Sequence, residues 1–183
     1  MRKLGTLAML MKTLGKPTIA AVRGYCIGGG NELQVLCDLT IAARGAKFGQ
    51  VGPKVGSVPV WGATQLLPRL VGDKKAREMI FLCPIFDAEE AERIGLINKV
   101  VPEEQLQAEV DRWCQEILDK SPQSIRIAKI ALNMESDRAF YAGFSHQSEL
   151  LTMTYGTPEH REGPQAFLEK RKPEFRKFRR AAV

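Results

Sequence analysis

The spacing of hydrophobic and polar positions changes along this chain, and each change marks an element. From Leu4 to Leu14 apolar residues recur at helical spacing, and Gly15 ends the segment with Pro17 beyond it. Thr18 to Val22 is a β-branched, apolar run bounded by Pro17 and Gly24, which reads as a buried strand. Asn31 to Cys37 reads as a short helix opening directly after three glycines. Asp38 breaks it, and Leu39 to Ala43 reads as a second strand. Strand, glycine turn, helix, strand is a parallel βαβ unit.

Gly45 to Gly62 is irregular and rich in Gly and Pro. From Ala63 onward the pattern is helical. Asp73 begins a helix through Leu82, and Asp87 caps another, with Glu90 three residues on and Gly95 after its end. Ile97 to Val101 is a brief extended piece. Pro102 opens a helix to Lys120, and Pro122 opens the next to about Asn133. Ala139 to Thr154 and Glu162 to Lys170 are the last two helices predicted. The expectation is an α/β fold, with a sheet-based core over residues 1–100 and a helical region over 101–183.

Composition narrows the function classes. The 183 residues are 44% hydrophobic and 26% charged, enough apolar matter for a core. The net charge of +6 owes much to Lys170, Arg171, Lys172, Arg176, Lys177, Arg179 and Arg180 near the C-terminus. Such a tail suits RNA, an acidic partner, ligand phosphates, or simply a solvated end. Cysteines 26, 37, 83 and 114 stand singly, and there are only two histidines, so neither a metal site nor a disulfide framework is expected. A reducing, cytoplasmic setting fits. No run approaches the ~18 apolar residues of a membrane span, and Leu4 to Met11 lacks the pattern of a signal peptide.

Candidate chemistry centres on Gly28-Gly29-Gly30-Asn31-Glu32. A glycine turn opening a helix exposes free backbone N–H groups, and the helix dipole favours an anion or a carbonyl becoming one. Without Cβ atoms the backbone can approach a ligand closely. The same pattern also serves as a mere tight connection. No Gly-Lys-Ser/Thr follows, so it is not a P-loop, and the spacing is not that of a dinucleotide fingerprint. Glu32 reads either as an acid/base or as a first-turn carboxylate matched to the dipole.

The segment Lys16 to Leu33 resembles the signature of the crotonase (enoyl-CoA hydratase/isomerase) family. Cys37 to Ala43, Phe48-Gly49-Gln50, Thr64 to Gly72, Ala88 to Ala91, Val100-Val101-Pro102, Arg161-Glu162-Gly163 and Ala166 to Arg171 continue the resemblance over essentially the whole chain. It implies a ββα-spiral core of the ClpP/crotonase type, here starting after the family's N-terminal strands and therefore truncated. It also implies an acyl-CoA substrate with coenzyme A as part of it, no tightly bound cofactor, and a homotrimer or hexamer.

Within the family, Gly49 to Ser57 and Lys74 to Glu78 are most similar to the 1,4-dihydroxy-2-naphthoyl-CoA synthases, and the alicyclic ketoacyl-CoA hydrolases share much of the pattern. The resemblance implies that Gly29 supplies one oxyanion-hole N–H. It makes Gln50 and Gly52 a pocket for bicarbonate acting as base, with Ser57 lining the acyl site. Tyr155 matches a tyrosine that those synthases contribute from a neighbouring subunit, and Phe167 and Lys170 match residues at the CoA nucleotide. Glu32 stands where hydratases carry one of their two glutamates, while Gly52 replaces the other, so a hydratase or isomerase using Glu32 is the alternative. A non-enzymatic scaffold or an RNA-binding relative is the third reading, although no nucleic-acid partner is expected. Val58-Pro59-Val60-Trp61 replaces a Phe-Asp-Gly-Gly stretch of the synthases, removing an aspartate and leaving Val60 and Trp61 to shape an apolar acyl pocket.

Overall fold

Six short strands of three to five residues form among the described residues, and the chain places them in two three-stranded sheets. A computed structural model describes residues 2–179, so Arg180 of the basic tail lies outside the described residues. Strand β1 (Ile19–Val22) pairs in parallel with β3 (Leu39–Ala43), with Ile19 opposite Leu39 and Val22 opposite Ala42. Strand β6 (Lys99–Val101) pairs in parallel with the other edge of β3. The second sheet has the order β2 (Tyr25–Ile27), β4 (Lys47–Gly49), β5 (Ile85–Asp87), with β2 and β4 parallel and β5 antiparallel to β4.

Helix α2 (Gly29–Leu36) returns the chain from the second sheet to the first. The repeating path is thus strand, strand, helix, which is the ββα spiral that the resemblance implies. The βαβ reading holds for β1, α2 and β3 but misses β2, which inserts before the glycines. The segment read as irregular, 45–62, also contains β4 and a 3-10 turn at Pro53–Val55.

Both faces of β3 are covered, which is why its sequence is a continuous apolar run rather than an alternating one. Ala42 faces a core with Phe48, Leu67, Met79 and Phe140. Ile41 and Ala43 face the other side, against Val101 and Leu106, with Trp113 packed on them. Helices α3 (Ala63–Val71), α4 (Asp73–Leu82) and α5 (Ala88–Arg93) follow the 50–62 segment. Asp87 caps α5 as expected, its Oδ1 accepting the Glu90 N–H at 2.8 Å. Pro102 opens a 3-10 turn, and helix α6 runs only from Leu106 to Leu118.

The two helices expected over 122–154 are one, α7 (Pro122–Thr152). Helix α1 (Arg2–Thr13) lies against it and explains the missing break. Buried Lys12 sends its Nζ to Ser136 Oγ at 3.2 Å and to Asp137 at 2.9 Å, in the stretch between the two helices expected. Buried Lys129 donates to the carbonyls of Met11 and Lys16 and to Asp38 Oδ2 at 2.8–3.0 Å, tying α7, the end of α1 and the start of β3 together.

The last helix, α8 (Pro158–Leu168), starts earlier than the apolar pattern indicated, because the Thr157 side chain accepts the His160 N–H and Pro158 fits the first turn. It sits backbone to backbone on the 53–55 turn. A Cβ at Gly163 would lie 2.1 Å from the Val55 carbonyl oxygen. Buried Glu162 beside it accepts from Arg171, Lys177 and the Glu174 N–H, and the Arg171 guanidinium foremost holds its carboxyl down at about 2.

Candidate active site

The site begins at the turn between β2 and α2. Gly28 has φ 58°, a left-handed conformation suited to glycine, and its N–H donates to the Gly49 carbonyl at 2.9 Å. That bond fastens the turn to the end of β4. Gly29 is the first residue of α2, so its N–H has no acceptor within the helix. Gly29 and Gly30 are exposed, and a Cβ on either would meet nothing within 4 Å, so this backbone is open to a ligand.

One turn further on, Glu32 is only 8% exposed. Its Oε1 accepts the Trp61 backbone N–H at 2.7 Å. Burial pushes its carboxyl up to about 7, and the Trp61 bond offsets only part of that effect. Trp61 in turn donates its indole N–H to the Leu4 carbonyl at 2.8 Å. These contacts bring α1, α2 and the 57–61 loop around one cavity of about 260 Å³. Gly29, Glu32, Ser57 and Tyr155 all line it, together with Leu4, Val58, Val60, Trp61 and Leu151. Four residues from three distant parts of the sequence thus meet at one small, mostly apolar space.

Tyr155 reaches that space within its own chain, its ring edge-to-face with His160 at 4.6 Å between centroids. Leu4 and Leu151 are walls that the sequence did not single out. No local signal marks them, since their place depends on how α1 and α7 dock.

The remaining expected residues are not brought to the cavity. Gln50 is 1% exposed and its Oε1 accepts from Asn31 Nδ2 at 3.1 Å. A side chain at Gly52 would be crowded at its base: its Cβ would lie 3.0 Å from the Ser57 carbonyl oxygen and 3.2 Å from Pro59 Cδ. Neither residue lines the 260 Å³ cavity. Phe167, 77% exposed, and Lys170, with φ 54°, close the C-terminal end of α8 on the surface and line no cavity with Glu32. Among the described residues no three His, Cys, Asp or Glu side chains are grouped to hold a metal ion. No described helix is long and apolar enough to cross a membrane.

The arrangement offers a free N–H for a developing oxyanion and a carboxyl group that is readily protonated and deprotonated near neutrality. Solved structures repeat the architecture. An enoyl-CoA hydratase from Mycobacterium avium subsp. paratuberculosis K-10 superposes with a TM-score of 0.90 at 27% identity, over 94% of this chain and 70% of that one. A methylmalonyl-CoA decarboxylase gives 0.82 at 28% identity, over 94% and 68%. A monofunctional enoyl-CoA isomerase from M. smegmatis gives 0.68 at 35% identity, over 73% and 63%. The family model described as enoyl-CoA hydratase/isomerase matches residues 2–178, and with that match the chain belongs to the enoyl-CoA hydratase/isomerase (crotonase) family.

Proposed function

We propose that this protein moves a proton on the acyl chain of a CoA thioester, with Glu32 as the acid/base and the Gly29 N–H stabilising the enolate oxygen. The observation that carries this reading is that Glu32 and Gly29 line the same cavity, one turn of helix apart. Isomerisation of a β,γ-enoyl-CoA to its conjugated α,β isomer is the reaction favoured. It needs one base that takes a proton from one carbon and returns it to another. Glu32 is the single carboxylate among the residues lining the cavity, whereas addition of water in the manner of a hydratase uses a second one at the position of Gly52.

The bicarbonate base of the naphthoyl-CoA synthase reading finds less support. Gln50 is engaged with Asn31, and the Ser57 carbonyl oxygen and Pro59 crowd Gly52. Ser57 and Tyr155 are taken as walls that orient the acyl group. A trimer or hexamer is part of the proposal, supported by the exposed apolar side chains of Ile127, Ile130 and Met134, which recur along one face of α7. Light scattering tests it, a monomer being the contrary result.

The decisive assay follows the ultraviolet absorbance of the conjugated thioester when the protein meets β,γ-hexenoyl-CoA. Conversion that falls by about 10²–10⁴ in Glu32→Gln supports the reading. Hydration of crotonyl-CoA at comparable rate would replace isomerase by hydratase. Inertness toward both substrates, on folded protein, would sink it.

A further inference from the structure

A second hollow lies across the loop that walls the Glu32 cavity. Its volume is about 1040 Å³, and it shares Ser57 and Val58 with that cavity. Its lining includes Phe81 and Leu82 at the end of α4, Met153 just after α7, and Phe175 and Phe178 in the final 3-10 turn. Leu82 is 75% exposed, Met153 73% and Phe81 67%. Apolar side chains scattered singly over a surface need no explanation, but these come from separate parts of the chain and converge on one groove.

The walls of the groove are fixed. A Cβ at Gly56 would lie 2.6 Å from the Glu159 carbonyl oxygen, and His160 Nδ1 is 3.1 Å from the Gly56 carbonyl oxygen. The start of α8 is therefore seated directly on the 53–57 loop. The Ser57 N–H donates to the Gly52 carbonyl at 2.9 Å and holds the loop from the other side.

The Glu32 cavity, at about 260 Å³, has room for the thioester and the reacting carbons and little more. It falls below the ~300–1,000 Å³ of pockets that enclose a drug-sized ligand. We infer that the substrates of this site are enoyl-CoA thioesters with an extended apolar acyl chain, whose distal carbons pass Ser57 and Val58 and lie against Phe81, Leu82, Met153, Phe175 and Phe178. This rests on the acyl-thioester reading above. Lys54 and Arg179 also border the groove, but Glu159 opposes them. The apolar side chains are the more numerous, so the lining fits hydrocarbon better than phosphate.

Each buried methylene is worth roughly three- to fourfold in affinity. The test compares β,γ-unsaturated hexenoyl-CoA and dodecenoyl-CoA on the full chain and on Leu82→Glu and Met153→Glu, both at exposed positions. The longer substrate is expected to have a kcat/KM about 10- to 100-fold higher, and each variant to remove at least about tenfold of that while leaving hexenoyl-CoA within about twofold. Circular dichroism and light scattering accompany each variant.

Equal losses for both chain lengths would overturn the proposal and assign the groove to the common CoA portion. Unchanged kinetics for both would overturn it as well, and so would a changed oligomeric state with no chain-length effect, which would make a second copy the occupant. A protein inactive on hexenoyl-CoA fails the acyl-thioester reading itself. A protein active on it but indifferent to the groove variants fails only the groove.

Discussion

The backbone N–H of Trp61 donates to Oε1 of Glu32 at 2.7 Å, so the carboxylate proposed for catalysis is held by the loop that also closes its cavity. Because the Trp61 indole binds the Leu4 carbonyl, the same residue connects α1 to Glu32. One donor is not enough to keep a buried carboxylate ionised at its ordinary pKa, and the shift to about 7 follows.

That shift predicts a pH profile. As a base Glu32 must be ionised, so kcat/KM should rise with pH through about 7 and then level. Glu32→Gln should abolish this limb along with the activity. A profile already flat from about pH 5 upward would mean that the carboxyl keeps its ordinary value.

The same shift predicts a stability effect of definite sign. The folded pKa is raised from 4.5 to about 7, so between those values the native state binds more proton than the unfolded chain. Stability therefore falls as pH rises across that window and is constant above it, a loss on the order of 3 kcal/mol. Glu32→Gln keeps an acceptor for the Trp61 N–H without a charge. It should raise Tm by roughly 5–10 °C more at about pH 8 than at about pH 5, measured by calorimetry. A difference of opposite sign would contradict the burial of a titrating carboxyl.

Gly29→Ala separates binding chemistry from folding. A Cβ there meets nothing within 4 Å and the backbone is not left-handed, so the fold should be retained, with Tm unchanged or slightly raised. The added methyl is expected to crowd a thioester carbonyl approaching the N–H. Activity should fall by about 10²–10³, the usual cost of losing an oxyanion donor. Equal losses of Tm and activity would mark Gly29 as structural only.

What could be read from the sequence was what local chemistry determines. Gly28 to Gly30 and Glu32 are adjacent in the chain and adjacent in space, and the Asp87 and Glu90 cap is three residues long. Strands Tyr25–Ile27 and Lys47–Gly49 were not legible because three residues in glycine-bounded segments carry no period. The continuity of α7 was not legible either. Its polar middle is satisfied by Lys12, 124 residues from Ser136 in sequence. Gln50 and Gly52 stand in a motif next to the site, yet Asn31 engages the one and Ser57 and Pro59 crowd the other, neighbours that only folding supplies.

Gly52 supports a further prediction. Installing the hydratase-type carboxylate with Gly52→Glu should not create a second catalytic group, because its Cβ would press on the Ser57 carbonyl oxygen and Pro59 and shift that segment. Displacing that segment should cost about 1–3 kcal/mol, seen as a lowered urea midpoint, and should weaken activity rather than switch it to hydration. Added bicarbonate should leave the rate of the unmodified protein unchanged. Activation by bicarbonate would restore the synthase-type mechanism.

Lys129 carries the last prediction. Its ammonium, 6% exposed, serves two main-chain carbonyls and Asp38 Oδ2, which also accepts the N–H and hydroxyl of Thr18. Lys129→Met keeps the stem but leaves the Met11 and Lys16 carbonyls without this donor and Asp38 without its cation. Hydrogen bonds to a charged group contribute about 1.5–3 kcal/mol each, and part of that is recovered by solvent at the partly exposed Asp38, so a net loss of roughly 2–4 kcal/mol is expected. The consequence should be local as well as global. Helix α1 loses one of its ties to α7 at the end opposite Leu4, while Lys12 keeps its bonds to Ser136 and Asp137, so the last-turn amides of α1 should exchange faster by hydrogen exchange while those of β3 stay protected. Because Leu4 walls the Glu32 cavity, KM for the acyl-CoA should rise more than kcat falls. Uniform exchange across α1 and β3 would show that Lys129 supports the whole fold rather than the seating of this one wall.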